Sequence, residues 1–327
     1  MGDFSTSPSG EIPGPKYWRR CPTVSRHAAR AADFYPWADA RAVVLWPAVN
    51  SQSAPRFLAA IDLDGTLLGH DGILGAENQA ALERLVGRGI GIVLASGRHA
   101  LNMAEIARGM PMVRGLVSCQ GCEASDPQRR RIYVQRFLES ADIGPAVAVG
   151  LEAGFGVIAY TERGERTVRD GPQIDRYRRI TGTPINEMPL AAVLEERIYK
   201  MMWIADEAML DAFLARGGAK GCQPQGSDPV RSHREVFEFV PHGVSKATGT
   251  AALAREFGVP AARIVGFGDA ENDVPLFDWA GYSVVMPHAR PEVRRHAKFT
   301  APAGDAESAF ARGVDVLLAS PFVAALP

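Results

Sequence analysis

The chain has 327 residues, 36 basic and 37 acidic side chains, a formal net charge of −1 and 46% hydrophobic residues. This length suits two domains, and the composition excludes a disordered or collagen-like chain. The near-zero charge excludes the global basic field of a nucleic-acid binder. No apolar run approaches the roughly 18–20 residues that span a bilayer, and four cysteines make no disulfide scaffold. A cytoplasmic, reducing setting without nucleic-acid or membrane partners is therefore expected. Lysine is scarce: Lys16, Lys200, Lys220, Lys246 and Lys298 are the only five, so each is read as kept for its chemistry.

Residues 1–56 are rich in Ser, Gly, Pro and Arg, without a helical or strand period. They are expected to be a poorly ordered extension from a start codon placed too early, in preference to a targeting signal. Phe57–Ile61 has the run of a strand buried on both faces. A helix is predicted over Ala76–Arg88, a strand over Ile90–Ala95, a helix over Ala100–Arg108 and a strand over Leu116–Ser118. This alternation implies a parallel sheet with crossover helices. Residues 122–240 break the rhythm. Strands at Arg131–Phe137, Gly154–Tyr160, Ile198–Ile204 and Val236–Val240, with helices near Ala141–Ala153 and Glu207–Ala215, describe a mixed α+β insert with its own core. The first pattern then resumes: a helix over Lys246–Phe257, a strand over Arg263–Phe267, a helix over Pro275–Ala280, a strand over Tyr282–Met286, and helices over Pro291–His296 and Asp305–Leu318. The expected architecture is an α/β doubly wound parallel-sheet core, 57–121 and 241–327, opened by an α+β insert.

The chemistry concentrates in Ile61-Asp62-Leu63-Asp64-Gly65-Thr66-Leu67, directly after the first strand. Ligands of open parallel sheets bind beyond the carboxyl ends of the strands. Two carboxylates there are costly unless a cation or a substrate uses them. Gly65 allows a sharp turn and a close approach to a ligand. One carboxylate could attack phosphorus and the other could move protons; the plain alternative is an Asp-rich turn at a strand end.

This segment resembles motif I of the haloacid dehalogenase (HAD) superfamily of phosphohydrolases, and three further motifs follow in order. Ala95-Ser96-Gly97-Arg98 resembles motif II, Gly243-Val244-Ser245-Lys246 motif III, and Gly268-Asp269-Ala270-Glu271-Asn272-Asp273 motif IV. Ser96 and Lys246 stand 150 residues apart, and an insert at that place resembles the C2-type cap of subclass IIB, the Cof-type phosphatases. The resemblance implies a HAD-like Rossmannoid core and a phosphoric monoester hydrolase acting on a small phosphorylated metabolite, above all a sugar phosphate. Asp62 would be the nucleophile, forming an aspartyl-phosphate. Asp64 would be the general acid and base, Ser96 would bind a phosphoryl oxygen, and Lys246 would neutralise nucleophile and phosphate. Mg²⁺ is implied, held by Asp62, a backbone carbonyl of Asp64, Asp269 and Asp273. Gly65, Thr66, Gly97, Arg98, Asn272 and His288 complete the expected substrate surroundings. For Lys246 a merely solvated position is disfavoured, because a cation at a helix start opposes the dipole.

Two stretches depart from the family pattern. Gln120-Gly121-Cys122 stands where Asn-Gly-Ala is usual, and Met286-Pro287-His288-Ala289 where Met-Gly-Asn-Ala is common. The Cys119-x-x-Cys122 spacing admits a redox or metal role, with two small buried residues the preferred reading. Arg129-Arg130-Arg131 is expected at a solvated hairpin tip, and the arginines over 163–179 on solvated faces. A hexose-phosphate mutase would use the same four motifs. A phospho-accepting switch would lack both the large insert and Asp64. Oligomeric state is left open.

Overall fold

The computed structural model describes residues 55–69 and 72–324. The extension expected over 1–56 lies outside the described residues, apart from Pro55 and Arg56. In chain order the strands are β1 (Phe57–Ile61), β2 (Ile90–Ala95), β3 (Val113–Ser118), β4 (Glu123–Ser125), β5 (Ile132–Gln135), β6 (Gly156–Thr161), β7 (Gly164–Thr167), β8 (Ile185–Glu187), β9 (Ile198–Ile204), β10 (Ser227–His233), β11 (Val236–Pro241), β12 (Ile264–Gly268), β13 (Tyr282–Val285) and β14 (Phe299–Thr300). They form an eight-stranded sheet of order β14-β13-β12-β1-β2-β3-β4-β5 and a six-stranded sheet of order β10-β11-β9-β6-β7-β8.

From β14 to β3 the larger sheet is parallel throughout. Every residue of β1 and β2 is buried, as a sheet covered on both faces requires. Successive side chains point to opposite faces. Phe57, Ala59 and Ile61 pack with helices Ala76–Gly87, Ala100–Arg108 and Ala309–Ala319 through Leu82, Ile106 and Phe310. Leu58, Val93 and Val117 pack on the other face against Leu253 of helix Lys246–Phe257. The doubly wound α/β expectation is met. The chain runs outward from β1 through β2 in one direction, and from β12 through β13 in the other. The switch point therefore lies between β1 and β12, which pair through Leu58–Ile264 to Ile61–Phe267.

The strand expected over Arg131–Phe137 does not join the insert's sheet. As β5 it pairs antiparallel with β4, and β4 with β3, so both extend the larger sheet. The turn explains this: Asp126 accepts from the backbone N–H groups of Gln128, Arg130 and Arg131 and folds the chain back on itself. Arg129 is not solvated as expected. It takes φ 55° and holds the fully buried Glu123 through two bonds of 2.6 and 2.9 Å.

The six-stranded sheet has two cores. Val157, Trp203, Phe237 and Phe239 face helices Gly144–Glu152 and Glu207–Ala215. Ile158, Tyr160, Met202 and Val240 face helix Pro172–Thr181, and here Cys119, Cys122 and Val244 join from the larger sheet's connections. Strands β7, β8 and β10 and helix Pro172–Thr181 escape the sequence patterns because they are short or polar. Strand β10 also carries Pro229, which an edge strand tolerates. Within this unit Arg166 pairs with Glu196, Arg176 with Asp206 and Glu235, and Arg178 with Asp170 and Asp175. Among the described residues no helix is long and apolar enough to cross a membrane.

Trp203 is fully buried among Phe155, Phe213, Phe237 and Phe239 and donates to Ala146 O at 2.9 Å. Trp203→Ala is expected to cost about 3–5 kcal/mol in urea unfolding. Trp203→Phe, which removes the hydrogen bond and part of the ring volume, should cost less, about 1–3 kcal/mol. Equal losses from the two would contradict this packing.

Candidate active site

The switch point brings the four motifs together. Asp62 follows β1, and its N–H donates to Phe267 O at 3.0 Å, so the β1–β12 ladder extends one residue into the site. Gly65 takes φ +79°, and a Cβ there would stand 2.7 Å from Asp269 Oδ2. The motif I loop thus needs glycine to close on the motif IV loop. Thr66 Oγ1 donates to Asp269 Oδ1 at 3.2 Å. Ser96, buried at the end of β2, accepts from the Arg98 N–H at 3.2 Å.

Lys246 opens its helix behind Ser245, whose side chain caps Thr248 N. Its stem is buried, and Nζ lies 2.6 Å from Asp62 Oδ1 and 2.7 Å from Asp273 Oδ1. Asp273 Oδ2 accepts from the N–H groups of Asp269 and Ala270 at 3.0 and 3.1 Å. One carboxylate therefore holds both its own loop and the lysine. The Asp64 side chain turns elsewhere. It is 56% exposed and accepts two bonds, of 2.8 and 2.5 Å, from Arg98, a bidentate fork.

Burial is the largest influence on Asp62 and raises its carboxyl well above the usual range. Asp273, Asp269 and Asp64 push the same way, while Lys246 pulls it down. Burial likewise raises Asp273 against Lys246. For Lys246 itself burial works downward, but Asp273 and Asp62 outweigh it and raise the ammonium. Loss of water around the group pushes the Asp64 carboxyl up to about 6, with Lys246 opposing and Asp269 adding. Its exposure and the Arg98 fork also favour the ionised form.

Four carboxylates, Asp62, Asp64, Asp269 and Asp273, thus face Lys246 and Arg98, with His288 beside Asp269 as a third basic group that is charged only when protonated. The cluster is short of positive charge. Asp62, Asp269 and Asp273 each offer an oxygen within 4.8 Å of the others, a hard donor set that suits a small divalent cation. Asn272 Oδ1, on the residue before Asp273, is buried without a hydrogen-bond partner. The residues fit a metal.

Of the other expected residues, Gly97 lies against the Gln120 amide, Asn272 donates to Gln120 Oε1 at 3.0 Å, and His288 Nε2 stands 3.5 Å from Asp269 Oδ2. Cys119 and Cys122 are free and buried. Burial pushes the Cys119 thiol up to about 12 and Cys122 well above its usual value, opposite to a reactive thiolate.

Sequence reasoning passed over a buried polar set on the smaller sheet. Lys200 and Glu238 pair at 2.8 Å, each almost fully buried. The signal was available, since a scarce lysine stands inside the apolar run Ile198–Ile204. It also passed over His99. This residue accepts from Leu101 N at the start of its helix and meets Thr161 O of β6 at 2.7 Å. Burial lowers its imidazole to about 4, so it ties the two sheets as a neutral ring.

Lys246→Met would leave two buried carboxylates uncompensated. At neutral pH the metal-free variant is expected to lose about 3–5 kcal/mol in urea unfolding. Both carboxyls are raised in the folded chain and rise further without the cation. The folded state then binds protons that the unfolded chain has released, so stability falls as pH rises from about 4. The deficit should shrink below that pH, and a variant as stable as wild type from pH 4 to 8 would contradict the arrangement.

A family profile described as haloacid dehalogenase-like hydrolase matches residues 59–312. The HMP-PP phosphatase of Cronobacter sakazakii is 28% identical over 243 residues, 72% of this chain and 86% of that protein. The fold is similar to the HAD subclass IIB sugar phosphatase BT4131, with a TM-score of 0.66 at 16% identity over 75% of this chain and 93% of that one. It is similar also to the phosphatase BT1666 of Bacteroides thetaiotaomicron, with a TM-score of 0.64 at 22% identity over 83% and 96% of the two chains. With four motifs on one sheet edge and a profile match across most of its length, the chain belongs to the haloacid dehalogenase-like hydrolases.

Proposed function

We propose that the protein is a Mg²⁺-dependent phosphatase of a small phosphorylated metabolite, of the sugar-phosphate kind, working through an aspartyl-phosphate on Asp62. The observation that carries this reading is the buried Asp62 carboxylate, held by Lys246 beside Asp269 and Asp273 at the switch point. The names of the relatives agree with it.

In this reading Asp62 attacks phosphorus with a carboxylate oxygen. The bond to the leaving oxygen breaks, and Asp64, protonated, gives that oxygen its proton. Asp64 then takes a proton from water as the water oxygen attacks phosphorus. The phosphorus bond to Asp62 breaks, releasing phosphate and restoring the carboxylate. In this reading Asp64, half-exposed and forked to Arg98, turns from that pair to serve both steps. Lys246 neutralises Asp62 and a phosphoryl oxygen, and Ser96 hydrogen-bonds another. Asp62, Asp269, Asp273 and the Asp64 backbone carbonyl would hold Mg²⁺, which when bound offsets the charge that gathers on the phosphoryl oxygens. The part of insert 122–240 that forms the six-stranded sheet is read as the cap that selects the leaving group and excludes water. A cytoplasmic setting, without nucleic-acid or membrane partners, completes the proposal.

The test is phosphate release from sugar phosphates, nucleotides, phosphoglycerates and cofactor phosphates, with Mg²⁺ and with EDTA. Wild type should act on one or a few compounds, and only with the metal. Asp62→Asn should lose activity by at least about 10³-fold, and Ser96→Ala by only about 10–100-fold. Substantial Mg²⁺-dependent release by folded Asp62→Asn would remove the nucleophile assignment.

A further inference from the structure

The turn between β3 and β4 is strained. Cys119 and Gln120 take φ of 52° and 64°, left-handed values that cost about 1–2 kcal/mol in a residue with a Cβ. Three contacts hold it. Cys119 N donates to Arg98 O at 2.9 Å, and Gln120 N to Ser96 O at 3.1 Å. Gly121 packs so closely on the start of the Lys246 helix that a Cβ would meet Ser245 O at 2.1 Å. The turn is thus wedged between the motif II loop and motif III.

What this conformation places is the Gln120 side chain, 2% exposed. Its Oε1 accepts from Asn272 Nδ2 at 3.0 Å, and its Nε2 donates to Glu238 Oε1 of β11 at 3.3 Å. Glu238 also accepts from Ser232 Oγ at 2.6 Å and Lys200 Nζ at 2.8 Å. Lys200 in turn lies over the Tyr160 ring, 4.4 Å from its centre. A continuous chain of buried and half-buried polar groups therefore runs from the smaller sheet to the loop that carries Asp269 and Asp273. At its end the Asn272 amide is oriented by the Gln120 bond, and its Oδ1 is buried with no partner.

We propose that Gln120 is a positioning residue, which sets the Asn272 amide and the Asp269–Asp273 loop for metal when Glu238 of the smaller sheet is seated against it. A shorter Asn at position 120, the residue usual in the family this chain resembles, would not span Asn272 and Glu238 together. The metal arm rests on the acidic trio, and the activity arm rests on the phosphatase reading above.

The experiment measures Mg²⁺ binding by calorimetry, and phosphate release as kcat and KM, for wild type, Gln120→Ala, Gln120→Asn, Glu238→Gln and the Ala/Gln double variant. Thermal unfolding verifies that each is folded. Gln120→Ala should weaken Mg²⁺ binding and lower kcat by about 10–100-fold with KM little changed. Gln120→Asn should recover only part of this loss. Glu238→Gln should act in the same direction, and the double variant should be no worse than Gln120→Ala, as residues on one path behave. Should Gln120→Ala fail to fold, Gln120→Glu keeps the bulk, sets like charges against Glu238 and should show the same loss. Unchanged Mg²⁺ binding in Gln120→Ala overturns the proposal, as does a loss confined to KM, full recovery in Gln120→Asn, or strict additivity with Glu238→Gln. A wild type that binds no Mg²⁺ overturns it too. A wild type that binds Mg²⁺ but releases no phosphate refutes the phosphatase reading, and the binding arm still decides the role of Gln120.

Discussion

The arrangement of this site depends on one buried cation between two buried carboxylates. Lys246 contacts Asp62 and Asp273 from chain segments 184 and 27 residues away. A buried carboxylate without a counter-charge is expensive, and so is a buried ammonium. Each of the three is therefore tolerated only where the other two are in place. Helix Lys246–Phe257 must lie against the larger sheet so that its first residue reaches the carboxyl ends of β1 and β12. The motif IV loop must curl until Asp273 accepts from the N–H groups of Asp269 and Ala270. Even so, one ammonium does not balance the acidic groups around it, and the remaining deficit is what makes the place suited to a divalent ion.

The second constraint is how a separate sheet is held over an edge already crowded with charge. The contacts between the sheets are buried and specific. They include a neutral histidine at a helix start, a strained turn against motifs II and III, and apolar contact through Cys119, Cys122 and Val244. Gln120, Glu238 and Lys200 carry exposure close to zero and satisfy one another, as burial demands. Such a network is sensitive to small displacements, which suits an interface whose two sides complete one reaction site in the proposed function.

Much was legible in the sequence. Period and apolar runs place β1, β2, helix Glu207–Ala215 and helix Lys246–Phe257 at their observed bounds. Motif order brings Asp62, Lys246, Asp269 and Asp273 to one sheet edge. What escaped were elements whose identity comes from partners instead of pattern. Strand β7 is four mostly polar residues that become a strand by pairing with β6 and β8. Strand β10 contains a proline and lies at an edge. Strands β4 and β5 fall inside the expected insert yet complete the larger sheet, because the turn at Cys119–Cys122 sends β4 back along β3 and the hairpin at Asp126 sends β5 back along β4.

The same division holds within the site. The sequence by itself determined the candidate residues and that the acidic ones follow the ends of parallel strands, since apolar run length and motif order are local properties of the chain. Only the tertiary structure decided their pairing. Asp64 turns to Arg98 while Asp62 turns to Lys246, and Arg129 seeks buried Glu123 when its neighbours in sequence suggest a solvated turn. Glu238, Gln120 and Asn272 meet across 118 and 152 residues. Such partners are chosen by the cost of leaving a buried charge or amide unsatisfied. That cost depends on which groups the fold brings within about 3 Å, a distance that linear spacing does not encode.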